Sequence, residues 1–128
     1  MKKMSVKIPR NEGGDFDFPQ SDNQQMWILG HFLSSDVGCY WPSFKKFALE
    51  NLFNECSGNC TNLEKKEDYI LISDQFSEQP DGGPFLKVPK QEFIRLLDEW
   101  EKICKQKPQE ILITFDGERF TIETKKTL

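Results

Sequence analysis

The chain has 128 residues, of which 37% are hydrophobic and 30% are charged, with 21 acidic side chains against 17 lysines and arginines. A formal net charge of −4 argues against a nonspecific nucleic-acid binder, since such proteins present a basic face. No apolar run approaches the roughly 20 residues that span a bilayer, and Lys2 and Lys3 precede no signal-peptide core. We therefore expect one domain over residues 1–128, located in the cytoplasm, with neither a membrane nor a nucleic acid as its direct partner.

The first third of the chain carries weak signals. Residues 4–9 alternate weakly and predict a short edge strand that Pro9 ends, and residues 10–23 read as a loop. Asp22 is a candidate cap for a helix that begins at Asn23. The contiguous apolar residues that follow leave a buried strand open for residues 23–34, and residues 34–41 are typical of a connection.

Clearer periodicity follows. Apolar residues recur at helical spacing from Pro42 to Cys56, which predicts an amphipathic helix that Gly58 and Asn59 end. Residues 69–72 are β-rich and nearly all apolar, which predicts a central strand covered on both faces. Residues 79–84 are a strong turn signal.

The C-terminal part has the strongest patterns. Phe85–Val88 predicts a short strand, and Pro89 starts the best amphipathic helix, which Pro108 ends. Two β-rich runs, 111–115 and 118–122, flank Asp116-Gly117, which predicts a hairpin with those two residues at its turn. The predicted fold class is α+β: an antiparallel or mixed β-sheet with two or three helices packed on it and a C-terminal β-hairpin.

The four cysteines predict neither a disulfide framework nor a metal site. Cys56 and Cys60 have a spacing that could seat two zinc thiolates, but a second close pair is missing because Cys39 and Cys104 stand alone. We expect reduced, mostly buried thiols and no cofactor, with Cys56 and Cys104 on apolar faces of helices.

Catalytic patterns are also missing. His31 is the one histidine of the chain and lies in an apolar neighbourhood typical of a core or edge histidine. Gly13-Gly14 and Gly82-Gly83 do not sit between a strand and a helix as phosphate loops do. Neighbouring carboxylates are numerous, but 21 acidic residues produce such pairs by composition alone. The sequence therefore predicts a protein that is not an enzyme.

The charge pattern favours a binding surface. Residues 11–44 carry five acidic residues and no basic one, and residues 64–84 have a net charge of −4. Acidic side chains on loops steer a basic partner, and large aromatic side chains anchor interfaces. The candidate partner-binding residues are Asp15, Phe16, Asp17, Tyr40, Trp41, Asp74, Glu78 and Asp81. The alternative is that these loops are merely solvated and that Phe16 and Phe18 fold back over the core.

The C-terminal half resembles a known family. Residues 69–74, the turn at 80–84, residues 97–101 and the hairpin at Asp116-Gly117 are similar in layout to small bacterial immunity proteins. These accompany the toxins of contact-dependent growth inhibition and related polymorphic toxin systems. The resemblance covers residues 69–123 and implies a cytosolic protein that binds and neutralises a cognate toxin C-terminal domain, often a nuclease with a basic cleft. It implies no catalytic residues.

Two other functions remain open from the sequence. A structural or regulatory module could self-associate through an uncovered sheet edge or an aromatic patch. A small hydrolase or metal-binding protein could use His31 together with Cys39, Cys56 or Cys60.

Overall fold

The computed structural model describes residues 3–11, 15–38, 43–50, 53–58, 60–75 and 85–125. These ranges form an α+β fold with three α-helices and two antiparallel sheets, which confirms the predicted fold class. The strands are β1 Met4–Pro9, β2 Glu55–Ser57, β3 Thr61–Lys65, β4 Tyr69–Asp74, β5 Phe85–Pro89, β6 Glu110–Phe115 and β7 Phe120–Lys125. The helices are α1 Gln24–His31, α2 Ser43–Leu49 and α3 Lys90–Gln106, and a π-helical segment, Phe32–Val37, follows α1 directly.

The smaller sheet has the strand order β1-β6-β7, so β1 is an edge strand as predicted. Val6 pairs with Ile113 and Ile8 with Ile111, and all four side chains are buried on the same face. Because side chains alternate along a strand, this register places the polar residues of β1 on the opposite face.

The segment after β1 closes the outer edge of that strand. Lys7 and Gln20 exchange two backbone hydrogen bonds of 2.9 and 2.8 Å, and the Asp17 N–H donates to the Pro9 carbonyl. The Ser21 hydroxyl donates to the carbonyl of Ser5 at 2.6 Å. Residues 17–21 therefore satisfy outward backbone groups that would otherwise invite another strand.

The larger sheet has the order β2-β3-β4-β5, which confirms β4 as an internal strand. Its burial alternates, however: Ile70 and Ile72 are fully buried, whereas Tyr69 and Leu71 are half-buried. The cover on the two faces is therefore unequal: one face packs deeply into the core, and the other is partly buried.

The first predicted helix exists, and the strand alternative is wrong. Its N-cap is Asn23 and not Asp22: the Asn23 side chain accepts a hydrogen bond of 3.0 Å from the Met26 N–H. The connection predicted from residue 34 is also wrong over its described part, because the π-helical segment runs on to Val37. Burial of Phe32, Leu33 and Val37 favours this continuation, and Gly38 ends it with a positive φ of 61°.

The second predicted helix is shorter than expected. It ends at Leu49, and Cys56 lies on β2 and not on a helix face. The physical reason is a contact distant in sequence: the buried Lys65 amine donates to the carbonyls of Phe47, at 2.8 Å, and Glu50, which terminates α2. Residues 55–57 then pair with β3, and Gly58 lies in the β2–β3 connection, whereas Asn59 is outside the described residues.

The third helix follows its prediction closely. Pro89 precedes its first residue, and Lys107 ends it with a left-handed φ of 51°, one residue before Pro108. Its buried side chains are Phe93, Leu96, Leu97, Trp100, Ile103 and Cys104. The Trp100 indole N–H donates to the Gly38 carbonyl at 2.6 Å, which joins α3 to the end of the π-helical segment.

The C-terminal hairpin is present, but its turn is shifted by one residue. The Asp116 N–H donates to the Arg119 carbonyl at 3.3 Å, so Gly117 and Glu118 are the two central residues. Gly117 has a φ of 101°, the pattern of a turn that needs glycine at its first position. The predicted Asp-Gly centre is wrong because the Asp116 carboxylate instead accepts hydrogen bonds from the N–H groups of Glu118 and Arg119.

Helix α3 caps the start of β7 with an ion pair. Arg95 donates two hydrogen bonds of 2.8 Å to the Glu92 carboxylate and one of 2.6 Å to the Phe120 carbonyl. The Phe120 N–H donates to Glu92 at 2.9 Å. These hydrogen bonds hold the pKa of Glu92 below its ordinary value of 4.5, with Arg95 as the largest cause.

Replacing Glu92 should make the free energy of unfolding depend less on pH in the acidic range. Because the pKa of Glu92 is lowered in the fold, its contribution is complete above pH 4.5 and is lost as the pH falls through the folded value. Glu92→Gln should cost about 1–2 kcal/mol at pH 7 and progressively less below pH 4.5. Urea unfolding at several pH values measures this difference. Glu101→Gln, an exposed change on the same helix, should cost nearly nothing; an equal loss in both variants would contradict the prediction.

Candidate functional site

The predicted partner-binding residues divide into two groups. Tyr40, Trp41, Glu78 and Asp81 lie outside the described residues. Asp15, Phe16, Asp17 and Asp74 are described, and the structure does not place them all in one surface feature. Asp15 and Asp17 are exposed on the loop that borders β1, and Asp74 is half-buried at the end of β4.

Phe16 folds back onto the protein. Its ring centroid lies 5.1 Å from that of the buried Trp100, and the Arg10 guanidinium lies over the Phe16 ring at 4.6 Å from its centroid. The ring therefore contacts both a core side chain and a cation. For Phe16 the structure thus agrees with the alternative in which the ring folds back over the core. Phe16 covers the core and is not an exposed anchor for a partner.

Phe18 points the other way and belongs to an exposed aromatic patch, which we define as Phe18, Trp27 and His31. Phe18 is 77% exposed and Trp27 is 39% exposed. The rings of Trp27 and His31 meet edge to face with their centroids 4.0 Å apart, and the Phe18 centroid lies 6.4 Å from that of His31. The three rings thus form one continuous surface from the loop beside β1 to the end of α1.

Sequence reasoning missed Trp27 as a surface residue. In α1 the buried residues are Met26, Ile28, Leu29 and Gly30, so Trp27 is the one large apolar side chain of that helix that faces outward. A usable signal was present, because a helix as uniformly apolar as this one carries more hydrophobic side chains than one buried stripe can hold. The hydrophobic side chains that do not fit into this stripe must lie at the surface.

Two carboxylates lie near the histidine of the patch. Asp36, on the π-helical segment, and Asp74 both act on His31 to raise its pKa. Burial acts in the opposite direction and is stronger, so the pKa of His31 lies below its ordinary value of 6.5. Its Nε2 atom is buried and makes no hydrogen bond within the described structure. At neutral pH the ring is therefore mostly uncharged.

Asp36 has a second role, because it fastens the end of this helical region to the larger sheet. Its carboxylate accepts hydrogen bonds from the Cys60 N–H at 2.8 Å, the Thr61 N–H at 3.0 Å and the Thr61 hydroxyl. Thr61 in turn pairs with Asp74 across β3 and β4. The contact needs Gly58, where a Cβ atom would lie 2.4 Å from an Asp36 oxygen.

The loop acids are oriented by short local hydrogen bonds. The Asp17 carboxylate accepts from the Phe18 N–H at 2.9 Å, which ties an exposed charge to the first aromatic anchor. The backbones of Asn11 and Asp15 are joined by a bond of 2.9 Å from the Asn11 N–H. Asp15 and Asp17 therefore lie on backbone that is held by hydrogen bonds, with their side chains exposed to solvent.

The described cysteines are thiols, as expected, but their positions differ from the prediction. Cys104 is buried on α3, whereas Cys56 and Cys60 are half-buried, and Cys39 lies outside the described residues. Burial raises the pKa of Cys56 to about 11, which keeps it protonated and weakly nucleophilic. The Cys60 sulfur lies 3.5 Å from the Ser35 hydroxyl.

Within the described part of the chain, no group of three or more His, Cys, Asp or Glu side chains could hold a metal ion. Nor does a hydrogen bond join His31 to Cys56 or Cys60 there. These residues therefore show no arrangement for acid–base chemistry at a thiol.

Comparison of the chain with protein-family models, with curated proteins and with solved structures finds no match. The resemblance to immunity proteins therefore stays a prediction. Among the helices that the structure describes, none is both long and apolar enough to cross a membrane. The aromatic patch and the acidic residues around it are therefore the features of the described structure that bear on function.

The Asp36–Gly58 contact predicts a steric cost that depends on both residues. Gly58→Ala should lower the free energy of unfolding by about 1–3 kcal/mol, because the added methyl group displaces the carboxylate from its hydrogen bonds. In an Asp36→Ala background the same substitution should cost much less, since the obstructing group is gone. Chemical denaturation of the four proteins measures this coupling, and equal costs in both backgrounds would show that the contact does not limit residue 58.

The buried histidine predicts a second measurable property. Since the chain has one histidine, its ring protons give one unambiguous NMR titration, whose midpoint should lie below 6.5. Stability should fall as the pH drops from 6.5 through that midpoint, because the unfolded chain then binds the proton more readily than the fold does. His31→Gln should remove this slope. A midpoint at or above the ordinary value would contradict the assignment of burial as the dominant cause.

Proposed function

We propose that the chain is a non-enzymatic inhibitory binding protein that acts in the cytoplasm and neutralises a cognate toxin C-terminal domain with a basic surface. The aromatic patch and the acidic residues beside it form the docking surface. The observation that carries the proposal is the exposure of Phe18 and Trp27 on either side of the His31 ring, with the Asp17 carboxylate bound to the Phe18 N–H.

The apolar part of this surface supports a protein partner. Large aromatic side chains contribute most of the binding energy in many interfaces when they are surrounded by polar groups that exclude water. Trp27 is preorganised by the contact of its ring with His31, and the bond from the Phe18 N–H to Asp17 orders the backbone that carries the Phe18 ring. Preorganised anchors lose little conformational entropy when a partner covers them.

The charge of the surrounding segment supports a basic partner. The segment from residue 11 to residue 44 contains no lysine or arginine, and it includes Asp15, Asp17, Asp22 and Asp36. Asp74 adds a further carboxylate from β4. A field of one sign accelerates association with an oppositely charged surface and disfavours partners of like charge.

A nuclease domain is the toxin class that this chemistry fits best. A nuclease binds phosphate groups in a cleft lined with basic side chains, and carboxylates can occupy the same positions. An inhibitor of this type needs no catalytic group of its own. The proposed mechanism is steric and electrostatic blockage of the cleft.

The decisive experiment determines the reading frames next to the one that encodes this chain and measures binding to the C-terminal domain they encode; the proposal expects a basic domain at the end of a large secreted protein. Trp27→Ala should weaken the affinity by about 30-fold or more, as expected for an interface anchor. Phe53→Ala is the matched control, because Phe53 is 70% exposed and lies outside the aromatic patch. Calorimetric titration of both variants checks this. Equal affinities for wild type and Trp27→Ala, or turnover of a defined compound by the chain, would overturn the proposal.

The acidic part of the surface is tested separately through the kinetics of association. Reversal of Asp15, Asp17 and Asp74 to lysine should slow association roughly tenfold or more at low salt, with a smaller effect at high salt. Glu118→Lys makes the same type of charge change at an exposed position of the hairpin and should have less effect per residue. Association rates that do not respond to the reversals would show that the partner is not attracted by this charge.

A further inference from the structure

The outer edge of β7 offers backbone groups for another strand. β7 is the edge opposite β1 in the order β1-β6-β7. In an antiparallel pair, successive residues direct their N–H and C=O groups alternately towards the neighbouring strand and away from it. Phe120 directs both groups away from β6, because its N–H bonds to Glu92 and its carbonyl to Arg95.

The same alternation places the N–H and C=O groups of Ile122 and Thr124 at the outer edge. Neither residue makes a further hydrogen bond to another part of the described structure. The ion pair of α3 therefore closes the first outward position of β7, and no other described residue closes the next two, whereas residues 17–21 close the edge of β1 along most of its length.

We propose that a second copy of this chain pairs with β7 in antiparallel fashion, with the two-fold axis at Thr124. Two three-stranded sheets then join into one of six strands, and the two Thr124 residues exchange N–H to C=O hydrogen bonds. A contact of this kind is isologous, since the same strand contributes from both copies.

Charge complementarity selects this register. With the axis at Thr124, Glu123 of each copy lies directly opposite Lys125 of the other, on the exposed face of the sheet. A register shifted to an axis at Glu123 would instead set two glutamates opposite each other, which is unfavourable. Registers in which outward groups of one strand meet inward groups of the other form no hydrogen bonds.

The proposed contact is separate from the aromatic patch. Phe18 lies in the segment that borders β1, at the far edge of the same sheet, and Trp27 lies on α1. Self-association through β7 thus goes beyond the proposed toxin inhibition, and either of the two can fail without the other.

Sedimentation equilibrium of the full chain tests the inference. The apparent mass should rise with concentration from 15.0 kDa towards twice that value. Glu123→Lys and Lys125→Glu should each weaken the dimer roughly tenfold or more, because each change places like charges opposite each other at two symmetry-related positions. The double variant, with both changes, should restore wild-type dimerisation, which a general effect of net charge cannot do.

A backbone variant and a matched control complete the test. Thr124→Pro removes an outward N–H that the fold itself does not use, so it should abolish dimerisation with little change in thermal unfolding. Glu118→Lys, in the hairpin turn, should leave dimerisation unchanged. A constant mass of 15.0 kDa at all concentrations, or a dimer indifferent to the charge exchange and to Thr124→Pro, would overturn the proposal.

Discussion

The hydrogen bonds of the Asp36 carboxylate are the contact on which the proposed docking surface depends. They join the end of the first helical region to the start of β3, and through the pairing of Thr61 they fix the position of Asp74. A half-buried carboxylate is stable there because three donors compensate its lost hydration. The same contact holds α1 with its outward Trp27 against the larger sheet. One acidic residue thus builds the site and contributes to its charge.

The fold also closes its sheet edges with side chains and loops. Residues 17–21 border β1, the Gln25 amide donates to the Phe85 carbonyl at 2.9 Å at the start of β5, and Arg95 with Glu92 caps Phe120. Open edges promote nonspecific association, and such caps restrict where another strand can add. The two outward positions left on β7 within the described residues are therefore informative, since Phe120 before them is closed and the flanking Glu123 and Lys125 carry opposite charges.

Much of the architecture could be predicted from local pattern. The period of α3 and the alternation in β1, β5 and β6 depend on which face is buried, and sequence records that directly. The pattern failed where contacts distant in sequence decide the outcome. The helical spacing of residues 42–56 continues past Leu49, but the amine of Lys65 ends the helix. β3 was not anticipated, because its residues Thr61 and Lys65 are polar and yet buried.

In the candidate site, too, local pattern predicted some features, and contacts distant in sequence decided the others. The exposure of Asp15 and Asp17 followed from composition, since carboxylates without partners remain in water. Asp36 and Asp74, in contrast, are half-buried on a helical segment and on a strand. Which aromatic side chains are exposed did not follow, because Phe16 and Phe18 are two residues apart on one loop and differ in what they meet. Trp100 and Arg10 hold Phe16, whereas nothing in the core receives Phe18. When a partner covers an exposed ring, burial of the apolar surface stabilises the complex. The entropic cost is small where the ring is already held in place before binding. The identity of a binding surface in a small α+β domain is thus set by the large side chains that its core leaves out.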